Sequence, residues 1–103
     1  MQIRAEPAAP HQAVLYVGGD IDMKTSAELQ SAGSAALAQG GVLTLTLDLA
    51  EVTFLDSAGV SALVAIFNEG RERGAQVMLR AVRMREMRIL EMTGLVKVFT
   101  IEP

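Results

Sequence analysis

The residues Phe54–Leu55–Asp56–Ser57–Ala58–Gly59–Val60 close a run of strand-like residues and open a helix. A serine in the first turn of a helix holds its hydroxyl near backbone N–H groups that have no partner within the helix. A phosphate at such an exposed position adds about −1.5 to −2 charges. No neighbouring side chain can activate this serine as a nucleophile. The stretch therefore predicts a helix cap made by Asp56 and Ser57, a modifiable switch at Ser57, or both.

The elements on either side of this junction follow two clear periods. Val42–Leu49 alternates leucine with polar residues, so it predicts a strand with one buried face. Ser57–Arg73 predicts a helix that ends at Gly74. Four of its apolar residues have the spacing of a stripe that faces the sheet: Val60, Leu63, Val64 and Phe67. The opposite face is predicted to carry small residues: Ala58, Ser61, Ala62 and Ala65. That face either admits a partner closely or simply uses alanine as a good helix former.

The rest of the chain continues the alternation of strands and helices. A short first strand ends in a turn between Pro7 and Pro10, and Gly18–Gly19 is predicted to end the second strand. Thr25, with Glu28 three residues later, has the spacing of a capping box. The predicted elements after the first strand are Ala13–Val17 (strand), Thr25–Ala38 (helix), Gln76–Leu79 (strand), Arg83–Met92 (helix) and Val96–Ile101 (strand). The order predicts an α/β fold with a small, mixed, mostly parallel sheet of about five strands and three to four helices packed on it.

Composition narrows the classes of function. The 103 residues suit a single domain, residues 1–103, and half of them are apolar. Nine basic and twelve acidic residues give a net charge of −3, which argues against nucleic-acid binding. The absence of cysteine excludes disulfides and thiolate chemistry, and the one histidine, His11, falls in a Pro/Ala-rich segment. No stretch has the length of a membrane span or the apolar core of a signal peptide, so we expect a cytoplasmic protein without membrane insertion.

Three aspartates, Asp20, Asp22 and Asp56, are expected at one end of the sheet, because parallel strands finish there. Grouped carboxylates serve acid–base chemistry or Mg²⁺ binding in some proteins, but aspartates at strand ends also cap turns and helices. No histidine, lysine or glutamate is placed to partner them, which disfavours catalysis. A second charged feature is a basic stripe near the third helix. The methionines of this region, Met84, Met87 and Met92, are predicted as core fillers, although exposed methionine also suits adaptable binding. The arginines of this stripe are Arg80, Arg83, Arg85 and Arg88. Such a run is either a solvated helix face or a surface for an acidic partner.

Three segments make the chain resemble the STAS family, the bacterial anti-sigma factor antagonists. Gly19–Asp22 followed by Thr25 resembles the family's segment before its first helix. Leu47–Leu49 with Val52–Val60 resembles its signature strand, loop and helix, and Leu90–Leu95 resembles the end of its third helix. The resemblance covers nearly the whole chain.

The resemblance implies that Ser57 is phosphorylated by an anti-sigma factor that is itself a Ser/Thr kinase. The unmodified form would bind that partner and release a sigma factor, and a phosphatase would reset the switch. Ala58 stands where relatives often carry a second Ser or Thr, so Ser57 is the one phosphoacceptor of this motif. The residues expected at the partner interface are Asp20, Asp22, Thr25, Asp56, Ser57, Ala58, Gly59, Ser61, Ala62 and Ala65.

Two other functional classes are alternatives to this one. STAS domains also dock within signalling scaffolds and membrane transporter complexes, where a phosphoswitch is not required. An enzyme or a nucleotide-binding protein is disfavoured, because the chain has no GxxxxGK[ST] motif. We therefore expect a binding protein without enzymatic activity or cofactor.

Overall fold

The computed structural model describes residues 1–102, in which strands and helices alternate. The elements are β1 (Gln2–Ala9), β2 (Gln12–Ile21), α1 (Ser26–Leu37), β3 (Thr44–Leu55), α2 (Ser57–Glu72), β4 (Gln76–Arg80), α3 (Met84–Met92) and β5 (Thr100–Glu102). A 3-10 turn, Leu95–Lys97, lies between α3 and β5. Within residues 1–102, no helix has the length and apolar character needed to cross a membrane.

The five strands form one sheet whose spatial order is the order of the chain, β1-β2-β3-β4-β5. β1 and β2 are antiparallel, and the pairs β2–β3, β3–β4 and β4–β5 are parallel. Parallel neighbours need a crossover between them, which α1, α2 and α3 supply in turn. The prediction of a mixed, mostly parallel sheet with helices packed on it is confirmed.

The core is built on the leucines of β3. Leu45, Leu47 and Leu49 are each at most 1% exposed, as the alternating pattern predicts. Leu43 precedes the strand and is 55% exposed, so the buried face begins one residue pair later than predicted. α1 and α2 close over this face and contact each other.

The first two strands are longer than the sequence indicated. β1 continues through Pro7 to Ala9, which is possible because β1 lies at the edge of the sheet, where a missing amide hydrogen removes no ladder bond on the open side. The connection is the two-residue turn Pro10–His11, with His11 at φ 66°. β2 does not end at Gly18–Gly19. Gly19 adopts φ 90° at an irregularity in the ladder, and pairing with β3 resumes up to Ile21.

The last predicted strand is mostly not a strand. Residues 95–97 form the 3-10 turn, and only Thr100–Glu102 pairs with β4. Phe99 is buried and packs edge-to-face on Phe67 with ring centroids 5.3 Å apart. The chain turns inward for this aromatic contact before it rejoins the sheet.

The buried face of α2 is rotated from the one predicted. Leu63 is buried as expected, but Val60, Val64 and Phe67 are only half-buried. The other buried positions are Gly59, Ala62, Ile66 and Gly70. Small residues lie inward because the helix approaches its neighbours closely. A Cβ on Gly70 would lie 2.6 Å from the Val77 side chain.

The predictions for the basic stripe and for the methionines of α3 also differ from the structure. Arg80 belongs to β4, where its Nε lies 2.9 Å from Asp48 Oδ2. This ion pair raises the pKa of Arg80. Arg83, Arg85 and Arg88 are exposed. Met84 and Met92 are 73% and 86% exposed and do not fill the core, because α3 turns other residues, notably Leu90, inward. Met87 is half-buried.

Candidate functional site

Ser57 is the first residue of α2, and its side chain is exposed. The helix cap is made by Asp56, whose Oδ1 accepts a hydrogen bond from the Gly59 N–H at 3.0 Å. Within residues 1–102 the Ser57 hydroxyl has no hydrogen-bond partner. Of the two roles left open by the sequence, capping therefore belongs to Asp56 alone. Ser57 is left as an accessible hydroxyl at a helix N-terminus.

A backbone contact fixes this turn against β2. The Asp56 N–H donates to the Ile21 carbonyl oxygen at 3.2 Å, and Ile21 pairs with Leu55 in the ladder. Gly59 is buried, and a Cβ there would lie 2.5 Å from the same carbonyl oxygen. Gly59 was expected at the partner interface, but its burial gives it a different role. It lets α2 begin directly on the end of β2.

Asp22 organises the turn that follows β2. Its Oδ1 accepts from the Lys24 N–H at 2.9 Å and from the Thr25 N–H at 3.2 Å. The hydrogen bond from the Lys24 amide, with further bonds from Thr25, lowers the pKa of Asp22 against the opposing effect of desolvation. The Asp22 carboxylate is thus held ionised beside the Ser57 turn.

Thr25 precedes α1, but the predicted capping box does not form. Its hydroxyl oxygen lies 2.7 Å from the Asp20 carbonyl, to which it donates, and accepts the Asp22 N–H at 2.9 Å. It makes no side-chain bond to the first turn of α1. Thr25 therefore ties the loop to the end of β2 instead of capping the helix.

Asp20 completes the acidic group at this end of the sheet. Its Oδ1 accepts a hydrogen bond of 2.6 Å from the Thr53 hydroxyl on β3. None of Asp20, Asp22 and Asp56 forms an ion pair with a residue in 1–102. Their hydrogen bonds shape turns, one of the two roles that the sequence left open. Asp20 and Asp22 lie at the end of β2, and the backbone bond between Asp56 and Ile21 sets the Ser57 turn beside that end.

The exposed ridge of α2 starts at Ser57 and continues through Ser61 and Asn68. Ala58 and Ala65 are half-buried beside it. Ala62 is 2% exposed and belongs to the core, so its predicted place on a docking face is wrong. The prediction treated small residues as surface residues, whereas the close packing of α2 requires some of them inside.

Three large apolar side chains near this end were not predicted as functional. Met23 is 81% exposed in the loop after β2, Phe54 is 45% exposed near the end of β3, and Met84 is 73% exposed at the start of α3. Met23 follows β2, Phe54 lies near the end of β3, and Met84 follows β4. All three therefore lie towards the end of the sheet at which the parallel strands finish. The sequence signal was present in Met23, an apolar residue in a polar turn, but Phe54 is hidden within a strand-like run.

Comparison with known proteins places these features in a family. The STAS domain family model matches residues 3–103. The anti-sigma-B factor antagonist of Listeria monocytogenes is 31% identical over 88 residues, which cover 85% of this chain and 76% of the relative. A crystal structure of an anti-sigma factor antagonist from Mycobacterium paratuberculosis is 34% identical, with a TM-score of 0.80 and coverage of 99% of this chain and 85% of that one.

A third comparison concerns the fold alone. The structure of the Bacillus cell fate determinant SpoIIAA in the phosphorylated form has a TM-score of 0.75 at 19% identity, covering 99% of this chain and 92% of that one. The family model spans nearly the whole chain, and the curated relative exceeds 30% identity over most of both proteins. This chain therefore belongs to the STAS domain family, as the anti-sigma factor antagonists do.

Proposed function

We propose that this protein is an anti-sigma factor antagonist controlled by phosphorylation of Ser57. In its unmodified form it binds an anti-sigma factor with Ser/Thr kinase activity, and the sigma factor is released. The same partner phosphorylates Ser57, which ends the binding, and a Ser/Thr phosphatase restores the active form. The protein acts in the cytoplasm as a ligand and a substrate, not as an enzyme.

The observation that carries this proposal is the free hydroxyl of Ser57. Because Asp56 caps α2, a kinase can phosphorylate Ser57 without breaking the capping hydrogen bond between the Gly59 N–H and Asp56. The side chain is exposed, so its Oγ is within reach of a kinase active site. Thr53 carries the nearest other hydroxyl on β3. This hydroxyl already donates a hydrogen bond to Asp20 at 2.6 Å, which makes it a poorer acceptor of a phosphate group.

The surroundings of Ser57 support the direction of the switch. A phosphate at a helix N-terminus is favoured locally by the helix dipole and free N–H groups, so the fold survives the modification. The added charge enters a surface that already carries Asp20, Asp22 and Asp56. A partner that matches the unmodified surface then meets added bulk, desolvation and repulsion. A loss of about 1.4 kcal/mol is already tenfold in affinity.

Exposed apolar side chains give the same surface its binding energy. Interfaces are commonly anchored by a few apolar or aromatic residues within a polar rim. Phe54 and Met23 flank the acidic turns, and the flexible methionine side chain adapts to a partner's shape. We assign them as anchors, with Ser57, Ser61, Asp22 and Thr25 as the polar contacts around them.

The relatives add support of two kinds. Proteins of similar length that are at least 31% identical are anti-sigma factor antagonists by name. SpoIIAA, which shares the fold, exists in a phosphorylated form. At 19% identity this tells only that such a fold accommodates a phosphate.

The test is to incubate the protein with its cognate kinase and Mg-ATP and to map the product by mass spectrometry. We expect one phosphate, on Ser57, and no incorporation into Ser57→Ala. Phosphate on Thr53 or Ser61 with Ser57 unmodified would contradict the proposal. A pull-down from the native cell distinguishes the alternative. Recovery of a scaffold or transporter subunit, with no ATP-binding kinase, would favour a docking role without a phosphoswitch.

A further inference from the structure

The two edges of the sheet differ in length. β5 pairs over only three residues, Thr100–Glu102, whereas β1 spans eight, Gln2–Ala9, and within residues 1–102 no strand covers its outer side. A short edge strand offers little to a neighbouring chain, but a long exposed one presents a row of backbone groups that can pair. Of the two edges, β1 is the one that another strand can extend.

One face of β1 is apolar and borders an open cavity. Ile3, Ala5 and Pro7 point to the side of α1 and line a cavity of about 860 Å³ between the β1–β2 hairpin and that helix. Its walls are made largely by small side chains, among them Ala13 and Ala32, so α1 does not close over the hairpin. Apolar surface next to an open edge is surface that association would cover.

The other face of β1 carries opposite charges two residues apart. Arg4 Nε lies 3.1 Å from Glu6 Oε1, with the side chains 66% and 50% exposed. The guanidinium of Arg4 also lies 4.6 Å from the centre of the Tyr16 ring, which holds it over the sheet. Arg4 and Glu6 are therefore positioned on one face, with Ala5 between them on the other.

We propose that the β1 edge is a self-association surface, on which a second copy of this chain pairs antiparallel about Ala5. In that register Arg4 lies opposite Glu6 of the second copy, and Glu6 lies opposite its Arg4. Opposite charges placed directly across two strands stabilise the pair. A two-fold interface of this kind is self-complementary, since each contact occurs twice.

The charges also exclude the neighbouring registers. Residues directly opposite each other must project to the same face, so the two-fold axis has to pass through a residue of β1. The registers next to the one centred on Ala5 are therefore centred on Arg4 and on Glu6. A centre at Arg4 places two guanidinium groups opposite each other, and a centre at Glu6 places two carboxylates there. The centre at Ala5 alone forms two attractive pairs. Pro7 lacks an amide hydrogen and confines the ladder to about Ile3–Pro7, so the dimer is expected to be reversible.

This association is independent of the proposed switch. β2 lies between β1 and β3, the strand that leads to Ser57, so a dimer through β1 leaves the Ser57 turn accessible. The partner-binding role can fail while the dimer persists, and the reverse also holds.

Sedimentation equilibrium of the full chain tests the proposal. We expect the wild type to dimerise with rising concentration, and Arg4→Glu or Glu6→Arg to raise the dimer dissociation constant about tenfold or more, because each change places like charges opposite each other twice. An equimolar mixture of these two variants should associate about as well as the wild type, since every cross-strand pair in the mixed dimer is again attractive. Arg88→Glu, an exposed change of the same charge on α3, is the control and should have no effect.

Three results would overturn the proposal. The first is a wild type that stays monomeric up to millimolar concentration. The second is a dimer that the β1 variants leave intact, and the third is a mixture that shows no recovery. Circular dichroism verifies that each variant is folded, as expected for exposed positions. If either β1 variant is unfolded, the other alone decides, because each one by itself creates the repulsion.

Discussion

The Asp56 amide donates to the Ile21 carbonyl oxygen at 3.2 Å, and this bond sets the turn after β3 beside the turn after β2. Asp22 follows Ile21, and Ser57 follows Asp56. A contact between two backbones thereby brings together side chains that are 35 positions apart in the sequence. The candidate site is held by this backbone bond and by the close approach of Gly59 to the end of β2.

Replacing Gly59 with alanine should destabilise the protein by about 1–3 kcal/mol, because the new methyl group would lie 2.5 Å from the Ile21 carbonyl oxygen. Urea unfolding measures the change. Ser61→Ala, two residues later on the exposed side, is the matched control and should stay within about 0.5 kcal/mol of the wild type. Equal stability of the Gly59→Ala variant would show that α2 can shift away from β2.

Asp56→Ala and Ser57→Ala should differ in stability although the residues are adjacent. Asp56 accepts the Gly59 N–H, so its loss should cost about 0.5–2 kcal/mol. The Ser57 side chain makes no such bond, and its replacement should cost less than about 0.5 kcal/mol. Thermal unfolding of both variants tests the assignment. A larger loss for Ser57→Ala would return the capping role to the serine.

Ser57→Asp should weaken binding of the anti-sigma partner in part while the fold is retained. An aspartate adds one negative charge, whereas a phosphate adds about 1.5 to 2, so the reduction should be smaller than that of phosphorylation. Calorimetry with the purified partner measures it, and Ser57→Asn, close in size but neutral, is the control. If the Asp and Asn variants bind equally, charge is not the cause.

Ser61→Arg and Ala62→Arg should have opposite consequences. Ser61 is exposed one turn after Ser57, so arginine there should leave the fold intact and reduce partner binding by steric bulk. Ala62 is 2% exposed, and an arginine would place a charge in the core and unfold the protein. Circular dichroism and a pull-down separate the two. A folded Ser61→Arg variant with full binding would remove this ridge from the interface.

Asp22 should make stability depend on pH in the acid range. Its pKa in the folded protein lies below the ordinary value of 3.8, chiefly because the Lys24 N–H donates to the carboxylate. The ionised Asp22 carboxylate therefore contributes its full stabilisation of the folded state above about pH 4, and this stabilisation is lost as the pH falls through the pKa of the folded protein. Asp22→Asn, which retains the accepting oxygen, should flatten this part of the stability curve. An NMR titration that finds an ordinary or raised pKa would contradict the expectation.

The sequence predicted the sheet because its strongest signals are local. The leucines of β3 alternate from Leu45 to Leu49, although the strand continues beyond this predicted end to Leu55, and glycines follow α1 and α2. The acidic turns were also predictable, since parallel strands finish at one end. The predictions that were wrong concern residues whose positions depend on contacts between parts of the chain that are far apart in the sequence. The inward position of Ala62 reflects how closely α2 packs on the sheet and α1, and no periodicity reveals that distance. The identity of the helix cap was undecidable between two adjacent capping residues until the Asp56 side chain was located.

The C-terminal segment and β2 show the same limit. Val96–Ile101 has strand-forming residues, but Phe99 packs on Phe67, and that tertiary contact replaces most of the strand by a 3-10 turn. Gly18–Gly19 resembled a strand end, yet the partner strand β3 continues beside it and carries β2 on to Ile21.

The strands lie in the sheet in the same order as they follow one another in the chain, and this affects how the protein folds. Each strand after the first adds to an edge that earlier residues have already made, so no strand has to insert between two others. Pairing only between consecutive strands keeps the sequence separation of the sheet contacts smaller than an order in which a late strand inserts between early ones. During synthesis the N-terminal part emerges first. The bond that sets the Ser57 turn joins Ile21 and Asp56, so both of its partners have been synthesised before α3 and β5 leave the ribosome.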